Sequence, residues 1–274
     1  MRWHAGLASV LALVVVSAAF AQRGRQGSSP AQRQYRYATL EDFDGTFQFC
    51  RVVFRRAPNG DGSSWSVDFP RADENLSIRL AELTKTSVGM DGNDTPKHLL
   101  VSLHDADTLS RCPFIMMTEV GTIALDQIEV ANLRDYLRRG GFLWADDFWG
   151  SRAWALFDAQ LRAVLPRSTY PIVDLPPDHP IFHTQMSVSR LPQIPSINFW
   201  GGPGGQTSER GADSATPHAR AILDEHRRVM IFITHNTDFG DAFEREGDNR
   251  SYFLEFSVPG YAVGVNVLLY AMTH

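Results

Sequence analysis

The chain has 274 residues, a formal charge of −5 and a pI near 6.0. That acidity argues against a nucleic-acid binder, which needs a basic face for phosphate contacts. Two cysteines are too few for a disulfide-built scaffold.

Arg2 and His4 precede an uncharged apolar run from Leu7 to Phe20, and Ala19-Phe20-Ala21 gives a small-x-small cleavage pattern. Residues 1–21 therefore read as a signal peptide. The run is shorter than the roughly 20 apolar residues of a spanning helix. The expectation is a periplasmic or secreted protein with no transmembrane segment after cleavage; an uncleaved anchor is the alternative. Residues 22–34, rich in Arg, Gln, Gly, Ser and Pro, read as a disordered leader. Residues 35–274 suffice for one α/β domain. In an oxidising compartment Cys50 and Cys112 could pair, or both could be buried thiols packing as small apolar groups.

Phe47 to Phe54 reads as the first strand, and Pro58 to Gly62 as a turn. Trp65 to Phe69 reads as a short extended piece. Asp73 is placed to cap a helix over 74–84, with Leu76, Leu80 and Leu83 on one face. Leu99 to Leu103 and Phe114 to Met117 are short apolar runs typical of doubly covered parallel strands. Asp126 and Glu129 form a capping box, flanked by Leu125 and Val130 as a staple. Val130, Leu133 and Leu137 continue at helical spacing, and Gly140 supplies the left-handed exit.

Phe142 to Ala145 then reads as a buried strand, with Asp146 and Asp147 at its end. A helix follows from about Ser151 to Leu165, with Ser151 as a candidate cap and Pro166 as the stop. Ile172-Val173 and Pro180 to Phe182 read as short extended pieces. Ile197 to Pro217 reads as a long glycine-rich surface loop. Ala219 to Leu223 and Val229 to Thr234 read either as a hairpin or as two successive strands. Gly260 to Met272 reads as a buried terminal helix. The alternation of strands and helices predicts a parallel sheet with helices on both faces.

Four segments, Asp68 to Thr84, Gly140 to Gly150, Asp178 to His183 and Asn236 to Glu244, together with the closing Tyr261 to His274, resemble the bacterial domain-of-unknown-function family 4159. The resemblance spans nearly all of the chain after the leader. It implies a three-layer, flavodoxin-like α/β fold, a divergent branch of the class I glutamine-amidotransferase-like proteins. The family has no assigned activity, and some members lie near genes for membrane-associated ATPases, which implies envelope-assembly work. A glutaminase needs a cysteine on the turn after its central strand and a histidine base. Here that turn reads Ala145-Asp146-Asp147-Phe148-Trp149-Gly150, so glutaminase activity is not expected.

In such sheets ligands sit outside the carboxyl ends of the strands. Asp146, Asp147, Glu119 and His179 are accordingly the candidate catalytic groups, through acid–base work or cation binding. For each there is a plainer role: helix capping or solvation for the aspartates, a solvated loop for Glu119, and a rigid Asp-His-Pro turn for His179. Trp149, Trp200 and His183 are candidate ligand contacts. Asn236, Asp238, Asp241 and Glu244 form an oxygen-rich loop that could hold calcium or magnesium, although its spacing is not that of a helix-loop-helix calcium motif; a solvated acidic loop is the other reading. The leading expectation is an exported domain binding a small molecule or carbohydrate, or envelope protein partners, without glutaminase activity. An envelope hydrolase acting on carbohydrate or ester, using carboxylates and histidine with or without a metal, is the second.

Overall fold

The structure is a computed structural model, and it describes residues 36–202 and 204–274. The expected signal peptide and leader lie outside the described residues. Seven strands form the main sheet: β1 (Phe49–Val53), β2 (His98–Ser102), β3 (Ile115–Thr118), β4 (Leu143–Asp146), β5 (Ile172–Asp174), β6 (His218–Leu223) and β7 (Val229–His235). Their spatial order is β2-β1-β3-β4-β7-β6-β5. The first five in that order run parallel, and β6 and β5 extend the sheet in antiparallel fashion. The parallel part has the flavodoxin-like order, in which the chain first steps to one side of β1 and then to the other. Of the two readings for residues 219–234, the hairpin is the one formed.

Helices cover both faces. On one lie α2 (Gln127–Arg138) and α3 (Gly150–Val164), which bury Leu133, Leu137, Phe157 and Leu161 with Cys50, Val52, Leu143 and Ala145. On the other lie α1 (Arg71–Leu83), α4 (Phe239–Glu244) and α5 (Val258–Thr273), which bury Leu76, Leu80, Phe243 and Val267 with Phe49, Trp144 and Phe232. Alternate residues of one strand thus serve opposite layers, as the two-residue period of a strand requires. The 250–273 stretch is apolar and long enough to cross a membrane. In this fold the α5 part of it is a core helix.

Several local expectations need correction. Asp73 does not cap α1, which begins earlier, after Pro70. It is fully buried and takes two hydrogen bonds from the buried Arg51, from Nε at 3.1 Å and from Nη2, while Arg51 Nη1 donates to Thr118 Oγ1 at 2.9 Å. Removing either partner would strand a charge in the core. Ser151 does not cap α3, whose N-cap is Trp149. Trp65 to Phe69 is a series of turns, and Pro180–Phe182 is a 3-10 turn. The capping box at Asp126 forms as expected, with Asp126 Oδ1 accepting from Ile128 N at 2.9 Å and Glu129 N at 3.0 Å, and Glu129 Oε2 accepting from Asp126 N at 2.8 Å.

Cys50 and Cys112 form a disulfide across 62 residues of chain, inside the core that carries α2 and α3. Closing a loop of that length stabilises a fold by about 4 kcal/mol through the unfolded chain. The double variant Cys50→Ala/Cys112→Ala should unfold at clearly lower urea concentration. An unchanged midpoint would contradict the bridge.

Candidate functional site

The chain leaves four parallel strands at one end of the sheet. Asp68 lies between β1 and α1, Glu119 follows β3, Asp147 follows β4, and Asn236 follows β7. All four have left-handed backbone, with φ of 62°, 56°, 54° and 63°. Non-glycine residues adopt this conformation at a cost, and such strain concentrates at functional sites.

Asp146 is fully buried and anchors structure. Its Oδ1 accepts from Thr234 Oγ1, and its Oδ2 accepts from Phe239 N at 2.9 Å and Gly240 N at 3.3 Å. These amides open α4, so Asp146 caps a helix remote in sequence rather than the one that follows it. Asp147 Oδ1 accepts from Trp149 Nε1 at 3.3 Å. The first amides of α3 go elsewhere: Gly150 N donates to Asn236 Oδ1 and Ser151 N to Asp213 Oδ2, each at 2.8 Å.

Asp147, Asp68 and Asp238 converge, with one ligand oxygen from each within 4.8 Å of the others. Asp68 also approaches Asp241 and Glu244 within the same limit. All of these except Glu244 are buried. Burial pushes the Asp147 carboxyl well up, and Glu119 and Asp68 add repulsion. Burial likewise raises Asp68, reinforced by Asp241, and Asp238, reinforced by Asp147. Burial also pushes Glu119 and Asp146 up to about 7 each.

The other expected residues fall in different places. Trp149 is buried beside Asp147. Trp200 packs edge-on against Tyr252, whose hydroxyl reaches Pro195 O at 2.8 Å. Of the four residues expected in a metal loop, Asp238 joins the aspartate trio. Asp241 accepts from Ile197 N and from Arg245 Nε, Glu244 pairs with Arg245, and Asn236 is spent on Gly150 and Thr216. His179 does not converge with the carboxylates. It shares a cleft with Arg227, Arg228 and Tyr270, and Arg228 Nη1 donates to Gly140 O, before β4 begins. That is the amino end of the parallel strands, opposite Asp147. His183 is exposed and bonds Pro177 O through Nε2 at 2.8 Å. The sequence reading missed Asp68. The available signal was its position after the first strand and just before a helix, the same kind of strand-end connection that drew attention to Asp146 and Asp147.

Beyond Asn236, on the α3 side of β7, lies an open cleft of about 540 Å³. Its wall includes Trp154, Asp174, Asp213, His218, Arg220 and His235. Arg220 lies 4.3 Å over the Trp154 ring and pairs with Asp174, and His218 stacks on His235. Three arginines and three aspartates line it, and Arg162 and Arg167 share Asp158, so it carries balanced charge. It presents donors and acceptors rather than a one-signed field.

Burial, with Arg220 and His218 close by, lowers the His235 pKa to about 4, against an ordinary 6.5. A depressed pKa contributes stability that is present above the unfolded value and lost as pH falls through the folded one. His235 should therefore make the fold acid-sensitive between pH 6.5 and about 4, by up to about 3 kcal/mol. In urea titrations across that range His235→Gln should flatten the decline; an identical slope in both proteins would refute the assignment.

A search of curated proteins found no match to the chain. The family model described as Domain of unknown function (DUF4159) matches residues 49–272. That match runs from the first residue of β1 into the last turn of α5, and the chain belongs to this family.

Proposed function

We propose that the protein is an exported binding domain for a hydroxyl-rich small molecule, a carbohydrate by class, built on an amidotransferase-like frame that does not carry glutaminase chemistry. The observation behind this is the state of the nucleophile position. Both cysteines of the chain are in the Cys50–Cys112 disulfide. Asp146, at the end of the central strand, is committed to Thr234 and to two amides of α4. Neither arrangement offers an attacking group. The resemblance to amidotransferase-like proteins is supported by the flavodoxin-like strand order and by the placement of this turn.

The ligand fits the cleft beside β7. Its volume lies within the range of small-molecule sites. Its charge balance and its mix of donors (Arg220, His218) and acceptors (Asp174, Asp213) match hydroxyl groups better than a strongly anionic ligand. The Trp154 ring is already contacted by Arg220, Phe148 and His235, so polar contacts rather than sugar stacking on that ring carry recognition. The hydrolase reading rests on one different observation: Glu119, with its carboxyl raised to about 7, stands next to the buried Asp147. Such a pair would suit general acid–base work.

Two measurements test this. The protein expressed from the whole chain should be recovered outside the cytoplasm, with an N-terminus at Gln22. Recovery of an intact N-terminus in the cytoplasm would remove export from the account. Calorimetric titration of the purified protein with a panel of mono- and oligosaccharides should find a binder whose affinity falls about tenfold or more in Arg220→Ala, a loss of about 1.4 kcal/mol. Release of product from glycosides or esters, abolished by Glu119→Gln, would favour the hydrolase instead.

A further inference from the structure

We propose that Asp68, Asp147 and Asp238 together hold one hard divalent cation, calcium or magnesium, at the carboxyl end of the parallel strands. This goes beyond the carbohydrate reading and does not depend on it, since the cleft and the trio share no residue.

The geometry is that of a ligand set. Oxygens bound to calcium or magnesium at roughly 2.1–2.5 Å lie at most about 5 Å apart when they face each other across the ion. The three carboxylates each offer an oxygen within 4.8 Å of the other two. They come from three separate connections, after β1, β4 and β7, so no short acidic run brings them together by default. Their residues are 8%, 5% and 4% exposed.

A second observation points to a missing partner. Asp68 Oδ2 is buried and has no hydrogen-bond partner, one of only two such side-chain atoms among the described residues. It lies against Gly240, where an added Cβ would sit 2.3 Å from it. Gly240 is in the first turn of α4, two residues beyond Asp238, so the orphaned oxygen lies beside the segment that carries another member of the trio. A buried carboxylate oxygen without a partner is costly, and native structures rarely keep one. Asp147 and Asp238 are oriented by single bonds to Oδ1, from Trp149 Nε1 at 3.3 Å and from Asp241 N at 2.7 Å. Their Oδ2 atoms take no hydrogen bond among the described residues.

The nearby cations are already committed. Arg51 spends its donors on Asp73 and Thr118. Arg245 serves Asp241, Glu244 and Asp248. The overlapping group of Asp68, Asp241 and Glu244 is therefore compensated by Arg245, whereas no cation is hydrogen-bonded to the trio, which has only the field of Arg51 acting on Asp68. All-oxygen, all-carboxylate donors select hard ions over zinc or copper.

The test uses the purified protein stripped with a chelator and dialysed. Titration with calcium chloride and, separately, magnesium chloride should show one bound equivalent. At a concentration about a hundredfold above Kd, the melting temperature should rise by about 5–10 °C. Asp68→Asn, Asp147→Asn and Asp238→Asn should each abolish that rise. In chelator each should melt at or above the wild-type temperature, because each removes one carboxylate from a buried, mutually repelling trio. Glu225→Gln, at an exposed residue, should respond like wild type. Absence of binding and of any thermal shift with either ion would overturn the proposal. So would a rise that survives in all three variants, which would place the ion elsewhere, for example at His104, Asp126 and Glu129. If a variant fails to fold, the wild-type stoichiometry still decides whether an ion binds, and the remaining two variants decide where.

Discussion

The bond from the Asp146 carboxylate to the first amides of α4 fixes everything else at the functional end of the molecule. It joins the end of the central strand to a helix that starts 93 residues later in the chain. Thr234 on the neighbouring strand supports the same carboxylate. With that tie in place α4 cannot shift along the sheet, and Asp238, its N-cap, is held against the turn that carries Asp147. A carboxylate at a helix N-terminus is electrostatically favourable, so this tie lowers the cost of burying Asp146. Asp238 gains one amide of the same helix and Asp68 the field of Arg51, yet the three aspartates beside it still repel one another.

The same end is braced from below. Arg51 on β1 reaches Asp73 on α1 and Thr118 on β3, all inside the core. This sets α1 against the sheet and hence positions the Asp68 turn that leads into it. The strained backbone at Asp68, Glu119, Asp147 and Asn236 is then over-determined by its surroundings. The fold thus spends packing and buried polar pairs to hold several carboxylates close together, an arrangement with no structural benefit of its own.

Much of the architecture was legible in the chain. The Asp126–Glu129 capping box, the Gly140 exit and the apolar runs at 99–103, 114–117 and 142–145 are local signals, and they fixed the parallel α/β pattern. The importance of the turn at Asp146-Asp147 was legible too, because strand-end position follows from pattern. What could not be read was pairing over distance. Arg51 lies within a strand segment and Asp73 reads as a cap; only the sheet order brings them together. His179 reads as part of a rigid turn or as a group reaching the crevice, and the order of the segments puts it at the other end of the strands. The metal loop was drawn from one contiguous acidic stretch. The trio instead takes a single residue from that stretch and one from each of two distant turns. Contiguity in sequence was a poor guide, because a cation site needs convergence from several directions.

The central claim is that this end of the sheet is organised around a cation rather than around a nucleophile. A crystal of the protein grown with manganese, a visible substitute for magnesium and calcium, tests it directly by anomalous scattering. The account predicts a single strong anomalous peak bounded by the carboxylates of Asp68, Asp147 and Asp238. A map with no peak there, and with the three side chains neutralised by hydrogen bonds to one another or to water, would contradict it.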